Sequence, residues 1–108
     1  YDRHMSIVTI YITAANQREA KKIAGELVRR RLAACVNILG PIRSVYRWEG
    51  KICDGREVAM LVKTRAALAD KVTSRVKALH SYDVPCIVVL PIRKGNPAFL
   101  KWVAEETE

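Results

Sequence analysis

The sequence predicts an α+β fold whose elements run in the order βαββαβ, followed by a short C-terminal helix. Four segments carry the alternating or continuously apolar pattern of β-strands, separated by turn-forming residues. Two further segments repeat their apolar residues every three to four positions, as amphipathic helices do. One of these lies after the first strand and the other before the fourth. This alternation of strands and helices sets the predicted order.

The first strand and first helix have the clearest patterns. The strand is predicted over Ser6–Thr13, where valine and isoleucine alternate with threonine and tyrosine. Asn16 is a good helix N-cap, and Glu19 three positions later completes a variant of the capping box. The apolar stripe that follows predicts that the first helix runs from about Gln17 to Arg31.

A long β-hairpin is predicted next. Its first strand, Ala34–Tyr46, is apolar and β-branched but is interrupted by Gly40-Pro41. This interruption predicts a bulge or bend, because proline cannot donate a hydrogen bond to a strand ladder. Turn residues follow at Glu49-Gly50 and Asp54-Gly55, and the second strand is expected over Glu57–Lys63.

The last third of the chain holds a helix, a strand and a terminal helix. Thr64 is expected to cap the second helix, which ends near His80. The fourth strand is predicted over Cys86–Leu90. Asn96-Pro97 places a capping residue before proline at the first helical position of the final helix. The apolar residues expected to pack one face of that helix are Phe99, Leu100 and Val103.

This order matches the split-βαβ arrangement called ferredoxin-like, with both crossover helices on one face of the sheet. The opposite face is apolar as well, since Ile7 and Tyr11 alternate with the residues that face the helices, and the fourth strand is apolar throughout. Burying such a face stabilises an assembly by about 25 cal/mol per Å². We therefore expect the chain to associate with copies of itself.

Length and composition predict one domain, over residues 6–108. Half of the residues are apolar and 28% are charged, which is typical of a folded globular chain. The apolar runs are too short to cross a bilayer, and no secretion signal is evident, so we expect a cytoplasmic protein without a membrane partner. Tyr1–His4 precede Met5 and are interpreted as a cloning remnant.

The charge and the cysteines exclude some functions. The formal charge of +8 would favour anionic partners, but the basic residues are dispersed, which favours a solvated surface over a nucleic-acid site. The three cysteines, Cys35, Cys53 and Cys86, form no C-x-x-C pair and fit reduced cytosolic thiols. The chain has no phosphate loop, dinucleotide fingerprint or H-E-x-x-H motif, so neither an enzyme nor an organic cofactor is expected.

Five segments in order resemble the motifs of the CutA divalent-ion tolerance family, over about Ile7 to Val103. They are Ala33–Ile38, Ser44–Ile52, Val62–Thr64, His80–Pro85 and Leu90–Ile92. The resemblance implies a compact homotrimer whose long hairpins extend the neighbouring sheets. It also implies a non-enzymatic role in tolerance of divalent metal ions, with binding of copper or another divalent cation.

The resemblance suggests Cys35 and His80 as metal ligands, and Cys86, where this chain departs from the family pattern, is a third candidate. Cys35 stands at the thiol position of the family's A-C-V-N-I motif, although a buried cysteine is often just a small apolar residue. His80 matches a proposed ligand, although a histidine at a helix end also pairs with terminal carbonyls. Cys86 replaces a common glutamate, and Ser81 a proline. A soft thiol there would favour copper or zinc.

Lys63, Tyr82, Trp48 and Glu57 are candidates for a cleft between subunits. Lys63 matches the family's K-T motif, but it is equally suited to a strand edge from which its amine reaches water. Trp48 is interpreted chiefly as an interface anchor.

Two alternatives to metal binding stay open at this point. The first is a trimeric sensor whose clefts hold an anionic small ligand through Lys63 and Arg93, which is an analogy at the level of fold. The second is a trimeric scaffold that anchors a partner protein.

Overall fold

The computed structural model describes residues 6–108, so the interpretation of Tyr1–His4 lies outside the described residues. The predicted order of elements is confirmed, with one short 3-10 turn added before the second helix. The elements are β1 (Ile7–Ala14), α1 (Gln17–Arg29), β2 (Cys35–Trp48), β3 (Lys51–Arg65), a 3-10 turn (Ala66–Leu68), α2 (Ala69–Leu79), β4 (Ile87–Pro91) and α3 (Pro97–Glu106).

The four strands form one sheet in the order β2-β3-β1-β4, and each neighbouring pair is antiparallel. β1 therefore lies between β3 and β4, although neither strand follows it directly in the chain. Helices α1 and α2 make the two crossovers that this order requires. The ferredoxin-like prediction is confirmed.

The core lies between the sheet and helices α1 and α2. Each of these elements contributes side chains with no exposed surface, and full burial of one such side chain is worth about 1.5–3 kcal/mol. The eight largest contributors are Ile10, Ile12, Ile23, Leu27, Met60, Val62, Val72 and Val76. Both crossover helices consequently cover the same face of the sheet, and we call the opposite face the open face.

Helix α1 begins as its capping residues predict. The side-chain oxygen of Asn16 accepts a hydrogen bond from the Glu19 amide at 2.9 Å, and Glu19 Oε1 accepts one from the Ala15 amide at 3.0 Å. The helix ends at Arg29, two residues before the predicted end, because Arg31 adopts a left-handed backbone with φ of 58°.

The predicted cap at Thr64 is wrong. Thr64 belongs to β3, where it pairs with Val8, and its side chain is fully buried. Its hydroxyl donates a hydrogen bond to the Leu32 carbonyl at 2.6 Å, so it is not available to a helix. The strand continues because β1 pairs with β3 as far as Arg65, and α2 begins only at Ala69.

The predicted turn at Asp54-Gly55 is also wrong, because both residues lie within β3. The chain turns once, at Glu49-Gly50, where the backbone has positive φ angles of 50° and 78°. Two residues with positive φ make the tight turn that suits twisted hairpins. Asp54 instead accepts two hydrogen bonds from the Arg43 guanidinium of the opposite strand, at 2.8 and 3.1 Å. The hairpin is therefore longer than predicted, and it gives the subunit its extent of 45 × 25 × 22 Å.

The predicted bulge is present, one residue earlier than Gly40-Pro41. The register of β2 against β3 shifts between Ile38 and Gly40, so Leu39 is the extra residue. Gly40 has a φ of 95°, which glycine adopts without steric cost.

The bulge changes the face to which the rest of β2 points. Before it, Ile38 pairs with Met60 and packs against the core. Side chains alternate between faces along a strand, so one extra residue moves the later even-numbered positions to the other face. Tyr46 and Trp48 consequently lie on the open face.

Helix α3 packs against β1 and β3 through Val103, which is fully buried. Asn96 caps it as predicted, accepting a hydrogen bond from the Ala98 amide at 3.1 Å. The expectation that Phe99 packs beneath the helix is wrong. Its side chain is 41% exposed and lies 5.7 Å from the ring of Trp102, centroid to centroid, because both aromatics sit on the outer side of α3.

On the β4 side of the open face, apolar side chains remain half exposed. Val88 and Leu90 pair with Tyr11 and Thr9 of β1 and are 47% and 44% exposed. Apolar residues that stay half exposed side by side on a sheet are typical of a contact surface.

Candidate functional site

A cleft of about 560 Å³ lies where the open face of the hairpin meets β1 and the loop after α2. We call it the hairpin cleft. Its aromatic lining consists of Tyr11, Tyr46, Trp48 and Tyr82. The remaining lining residues are Thr13, Ser44, Glu57, Asp83, Val84 and Cys86.

The charge of the hairpin cleft is opposite to that of the chain. The protein carries 19 lysines and arginines, yet none is among the residues that line the cleft within the described range 6–108. Two carboxylates, Glu57 and Asp83, do line the cleft. Because clefts with low-dielectric walls concentrate the field of their own charges, this one attracts cations.

Aromatic side chains are also concentrated there. The chain has four tyrosines and two tryptophans, and three of those tyrosines and one of those tryptophans line the cleft. The Leu39 bulge brings Tyr46 and Trp48 to the face that carries Tyr11. The loop after α2 adds Tyr82 from the other side.

Tyr82 is held in place by three contacts. Its hydroxyl donates to Glu57 Oε2 at 3.0 Å, its amide donates to His80 Nδ1 at 3.0 Å, and its ring lies against the His80 ring with centroids 4.7 Å apart. Burial, followed by the hydrogen bond and the negative charge of Glu57, raises the pKa of Tyr82 to about 12. The phenol therefore stays protonated and keeps donating at neutral pH.

His80 is buried beside Tyr82 and supports the position of that cleft residue. Its side chain is fully buried, and its Nε2 lies 2.7 Å from the Thr13 carbonyl, which can only accept a hydrogen bond. Since Nδ1 accepts from the Tyr82 amide, the ring has its proton on Nε2 and both nitrogens are occupied. A metal ion could bind His80 only after one of these bonds broke. In this structure His80 positions Tyr82.

Glu19 fixes the loop to the start of α1. Its second carboxylate oxygen accepts a hydrogen bond from the Ser81 amide at 3.0 Å. Burial raises the pKa of Glu19, but hydrogen bonds from Ala15 and Ser81 outweigh it, so the net shift is downward. A proline at position 81, as in the family motif, has no amide hydrogen for this bond. Ser81 thus adds a tether to the loop.

Cys86 faces the hairpin cleft. Burial raises the pKa of its thiol, and the negative charge of Glu57 raises it further against a lowering hydrogen bond from Thr13. The thiol is therefore protonated at neutral pH. A metal ion would have to displace that proton, so binding through Cys86 would strengthen as the pH rises.

Cys35 and Lys63 lie elsewhere. They face each other across β2 and β3, and the Lys63 amine donates to the side-chain oxygen of Asn37. Lys63 is six residues along β3 from Glu57, which corresponds to about 20 Å. The structure therefore does not bring Cys35 together with Cys86 in one subunit. Arg93, the other anion-binding candidate, is exposed and does not line the cleft either.

The described part of the chain holds no group of three or more His, Cys, Asp or Glu side chains arranged to bind a metal ion. It also holds no helix long and apolar enough to cross a membrane. The predicted ligands Cys35, His80 and Cys86 thus form no ready three-residue site within a subunit.

Trp48, Glu57 and Tyr82 were predicted as candidates for a cleft between subunits, with Trp48 chiefly as an interface anchor. All three line the hairpin cleft, which lies within one subunit. The prediction of a cleft between subunits stays a prediction. Sequence reasoning missed Asp83 as well as Tyr11 and Tyr46. A signal for the two tyrosines exists, because a bulge at Gly40-Pro41 reverses the alternation and moves Tyr46 to the face of Tyr11. No comparable signal in the sequence marks Asp83.

The fold and the cleft define a small ferredoxin-like protein with a ligand-sized cleft between a long hairpin, β1 and the loop after α2. A family model described as CutA1 divalent ion tolerance protein matches residues 8–106. This chain belongs to the CutA1 divalent ion tolerance family.

Individual relatives agree with this assignment. The divalent-cation tolerance protein CutA of Archaeoglobus fulgidus is 50% identical over 99 residues, which cover 92% of this chain and 96% of the relative. Protein CutA 1, chloroplastic, of Oryza sativa subsp. japonica is 44% identical over 100 residues, and protein CutA of Mus musculus is 42% identical over 103. Those matches cover 93% and 95% of this chain but only 56% and 58% of the rice and mouse proteins.

Solved structures share the whole fold. The structure described as the periplasmic divalent cation tolerance protein CutA from Archaeoglobus fulgidus superposes with a TM-score of 0.91 at 49% identity, covering 94% of this chain and 99% of that one. The crystal structure of CutA1 from Oryza sativa has a TM-score of 0.94 at 41% identity, with coverage of 99% and 98%.

Proposed function

We propose that this protein is a non-enzymatic, cytoplasmic homotrimer that binds divalent cations in the hairpin cleft and acts in divalent-ion tolerance. One observation carries the proposal. In a chain with a formal charge of +8, the cleft is lined by two carboxylates and a thiol and by no basic side chain among the described residues. The family name supports the class of ligand.

Copper is the first ion to test. Carboxylates such as Glu57 are hard donors that accept most divalent cations, whereas the thiol of Cys86 favours soft or borderline ions. Copper binds nitrogen, oxygen and sulfur donor sets more tightly than the other first-row divalent ions. Zinc is the second ion, since it also accepts mixed sulfur and oxygen ligands.

Of the three candidate ligands predicted from the sequence, Cys86 keeps its place in the proposed site. His80 acts through Tyr82, because both its ring nitrogens are hydrogen bonded. Cys35 lies on the open face but far along the hairpin from Glu57, so a site that uses it needs ligands from a second subunit.

The trimer is supported by apolar surface that the subunit leaves exposed. Leu90 on the open face is 44% exposed, and Val45 and Ile52 near the hairpin end are 67% and 73% exposed. A hairpin that extends beyond the body of the subunit suits pairing with a neighbouring sheet. The cytoplasmic location is supported by three free cysteines, which fit a reducing compartment.

The test is calorimetric titration of the full chain with copper and with zinc. Cys86→Ser and Glu57→Gln are each expected to weaken binding by about tenfold or more, because each removes a donor or its charge. Cys53→Ser is the matched control, since Cys53 is a free cysteine that does not line the cleft. Equal affinity in the wild type and both cleft variants would contradict the proposal.

A further inference from the structure

We propose that the hairpin cleft also binds an organic cation of the alkylammonium class, in contact with the aromatic rings and carboxylates that line it, which together we call the cage. The inference goes beyond metal binding, because it depends on the aromatic lining and not on the thiol. It rests on which side chains line the cleft, on how Tyr82 is held, and on the size of the cleft.

The first argument is chemical complementarity. The face of an aromatic ring carries a negative electrostatic potential, so it attracts a cation, and it does so most strongly when the cation is poorly hydrated. Quaternary alkylammonium groups are such cations, and sites for them are built from several aromatic rings. The hairpin cleft has four rings together with the carboxylates of Glu57 and Asp83.

The second argument is that part of the cage is held rigidly. The Tyr82 ring lies against His80, and its hydroxyl is fixed by Glu57, so its position does not depend on a ligand. Binding to groups already in place avoids the entropic cost of ordering them. Glu57 Oε2 accepts the hydrogen bond from the Tyr82 hydroxyl, and Glu57 Oε1 has no hydrogen-bond partner among the described residues.

The third argument concerns size and access. A volume of about 560 Å³ falls in the range of small-molecule sites and far exceeds the space of a single metal ion. Trp48 and Tyr46 are each 49% exposed, so both rings have surface free to contact a ligand.

Charge complementarity selects the occupant. A neutral apolar ligand would use the aromatic rings but would leave Glu57 and Asp83 partly desolvated without compensation. An anion would be repelled by both carboxylates. A cation with an apolar surface satisfies the rings and the carboxylates at once.

The experiment compares choline with 3,3-dimethylbutan-1-ol, which has the same shape but no charge. Ligand-observed NMR titration of the wild-type protein is expected to show choline binding at least about tenfold more tightly than the neutral isostere. Trp48→Leu keeps apolar bulk but loses the aromatic face, and it should weaken choline about tenfold. Glu57→Gln should reduce the preference for choline over the isostere.

Trp102→Leu is the matched control. Trp102 is 40% exposed, close to the value of Trp48, but it lies on α3 beside Phe99 and does not line the cleft. Choline affinity in this variant should equal that of the wild type. Circular dichroism and thermal unfolding of each variant establish that it is folded, and Trp48→Phe, which retains a ring, should recover part of the affinity.

The outcomes separate this inference from metal binding. Cys86→Ser should weaken copper binding and leave choline binding unchanged. Trp48→Leu should weaken choline binding and leave copper binding unchanged. Equal binding of choline and its isostere, or equal choline affinity in Trp48→Leu and Trp102→Leu, would overturn the cation cage while leaving the metal proposal intact. Absence of choline binding at 100 mM would also overturn it, including the case in which a second copy of the chain fills the cleft.

Discussion

The hydroxyl of Tyr82 donates to Glu57 Oε2 at 3.0 Å and so joins the loop after α2 to the β2–β3 hairpin. The two residues are 25 positions apart, and this bond closes one side of the hairpin cleft. Burial is the largest cause of the raised pKa of Tyr82, and this contact adds to it, because a phenolate beside a carboxylate is unfavourable.

Alkaline titration should reveal this contact. The pKa of Tyr82 is raised to about 12 in the folded protein from its ordinary value of 10.0, so the stabilising contribution is complete below pH 10 and is lost as the pH rises through 12. Absorbance at 295 nm should show a late tyrosine step in the wild type that is missing in Tyr82→Phe. Glu57→Gln should move that step to lower pH, and an unchanged step in this variant would contradict the assignment.

Replacing Glu19 with alanine should loosen the loop after α2. The carboxylate accepts from the amides of Ala15 and Ser81, both at 3.0 Å. Losing two such bonds should lower the free energy of unfolding by about 1–2 kcal/mol. Urea unfolding measures the loss, and hydrogen exchange at the Ser81 amide should accelerate. Arg18→Ala, an exposed change in the same helical turn, should alter neither quantity.

Thr64→Val should destabilise the fold although it preserves shape. The Thr64 hydroxyl is fully buried and donates to the Leu32 carbonyl, which would lose this partner. The expected cost is about 1–3 kcal/mol in the free energy of unfolding, measured with urea. Thr73→Val provides the comparison, because the Thr73 hydroxyl bonds the Ala69 carbonyl in a partly buried site. A smaller loss at position 64 than at 73 would contradict the reasoning.

Glu26 should account for part of the loss of folding stability at acidic pH. Hydrogen bonds from Arg30 at 2.5 Å and Arg75 at 2.7 Å lower its pKa to about 2 from its ordinary value of 4.5. The stability it contributes is present above pH 4.5 and is lost as the pH falls through 2. The melting temperature of Glu26→Gln should therefore lie below that of the wild type at pH 6, and the two should converge between pH 4.5 and 2.

A charge on the open face should prevent assembly. Leu90→Glu places a carboxylate on β4 where the proposed trimer buries apolar surface, and an unpaired buried charge costs several kcal/mol. Sedimentation velocity should show a trimer for the wild type and a smaller species for Leu90→Glu. Val28→Glu is the control, since Val28 is 43% exposed but lies on α1. A monomeric wild type at micromolar concentration would contradict the proposed trimer.

The patterns in the sequence were sufficient for the order of the elements, because the strands and helices alternate clearly and Asn16 and Asn96 cap as expected. The errors came from tertiary contacts that outweighed local preference. Thr64 suits a helix cap, but pairing with β1 keeps it in the strand. Asp54-Gly55 suits a turn, but the Arg43 guanidinium holds Asp54 across the hairpin.

The candidate site was only partly predictable for the same reason. Trp48 and Glu57 were candidates for a cleft between subunits, and the structure shows that both line a cleft within one subunit. Lys63 was separated from them because its place along β3 depends on the register of the hairpin, which the sequence motif does not reveal. The sequence showed that His80 lies at a helix end. It did not show that both ring nitrogens are hydrogen bonded, because these bonds need Thr13 and Tyr82, which folding brings into contact with His80.

The extra residue at Leu39 bears on how such a cleft arises in evolution. One residue inserted into an edge strand moves every later side chain of that strand to the opposite face of the sheet, without replacing any amino acid. A lineage could thus gain or lose the aromatic wall by a three-nucleotide insertion or deletion, while every residue beyond it stayed the same. Comparisons of relatives should therefore weigh the length of this segment as heavily as the identity of its residues.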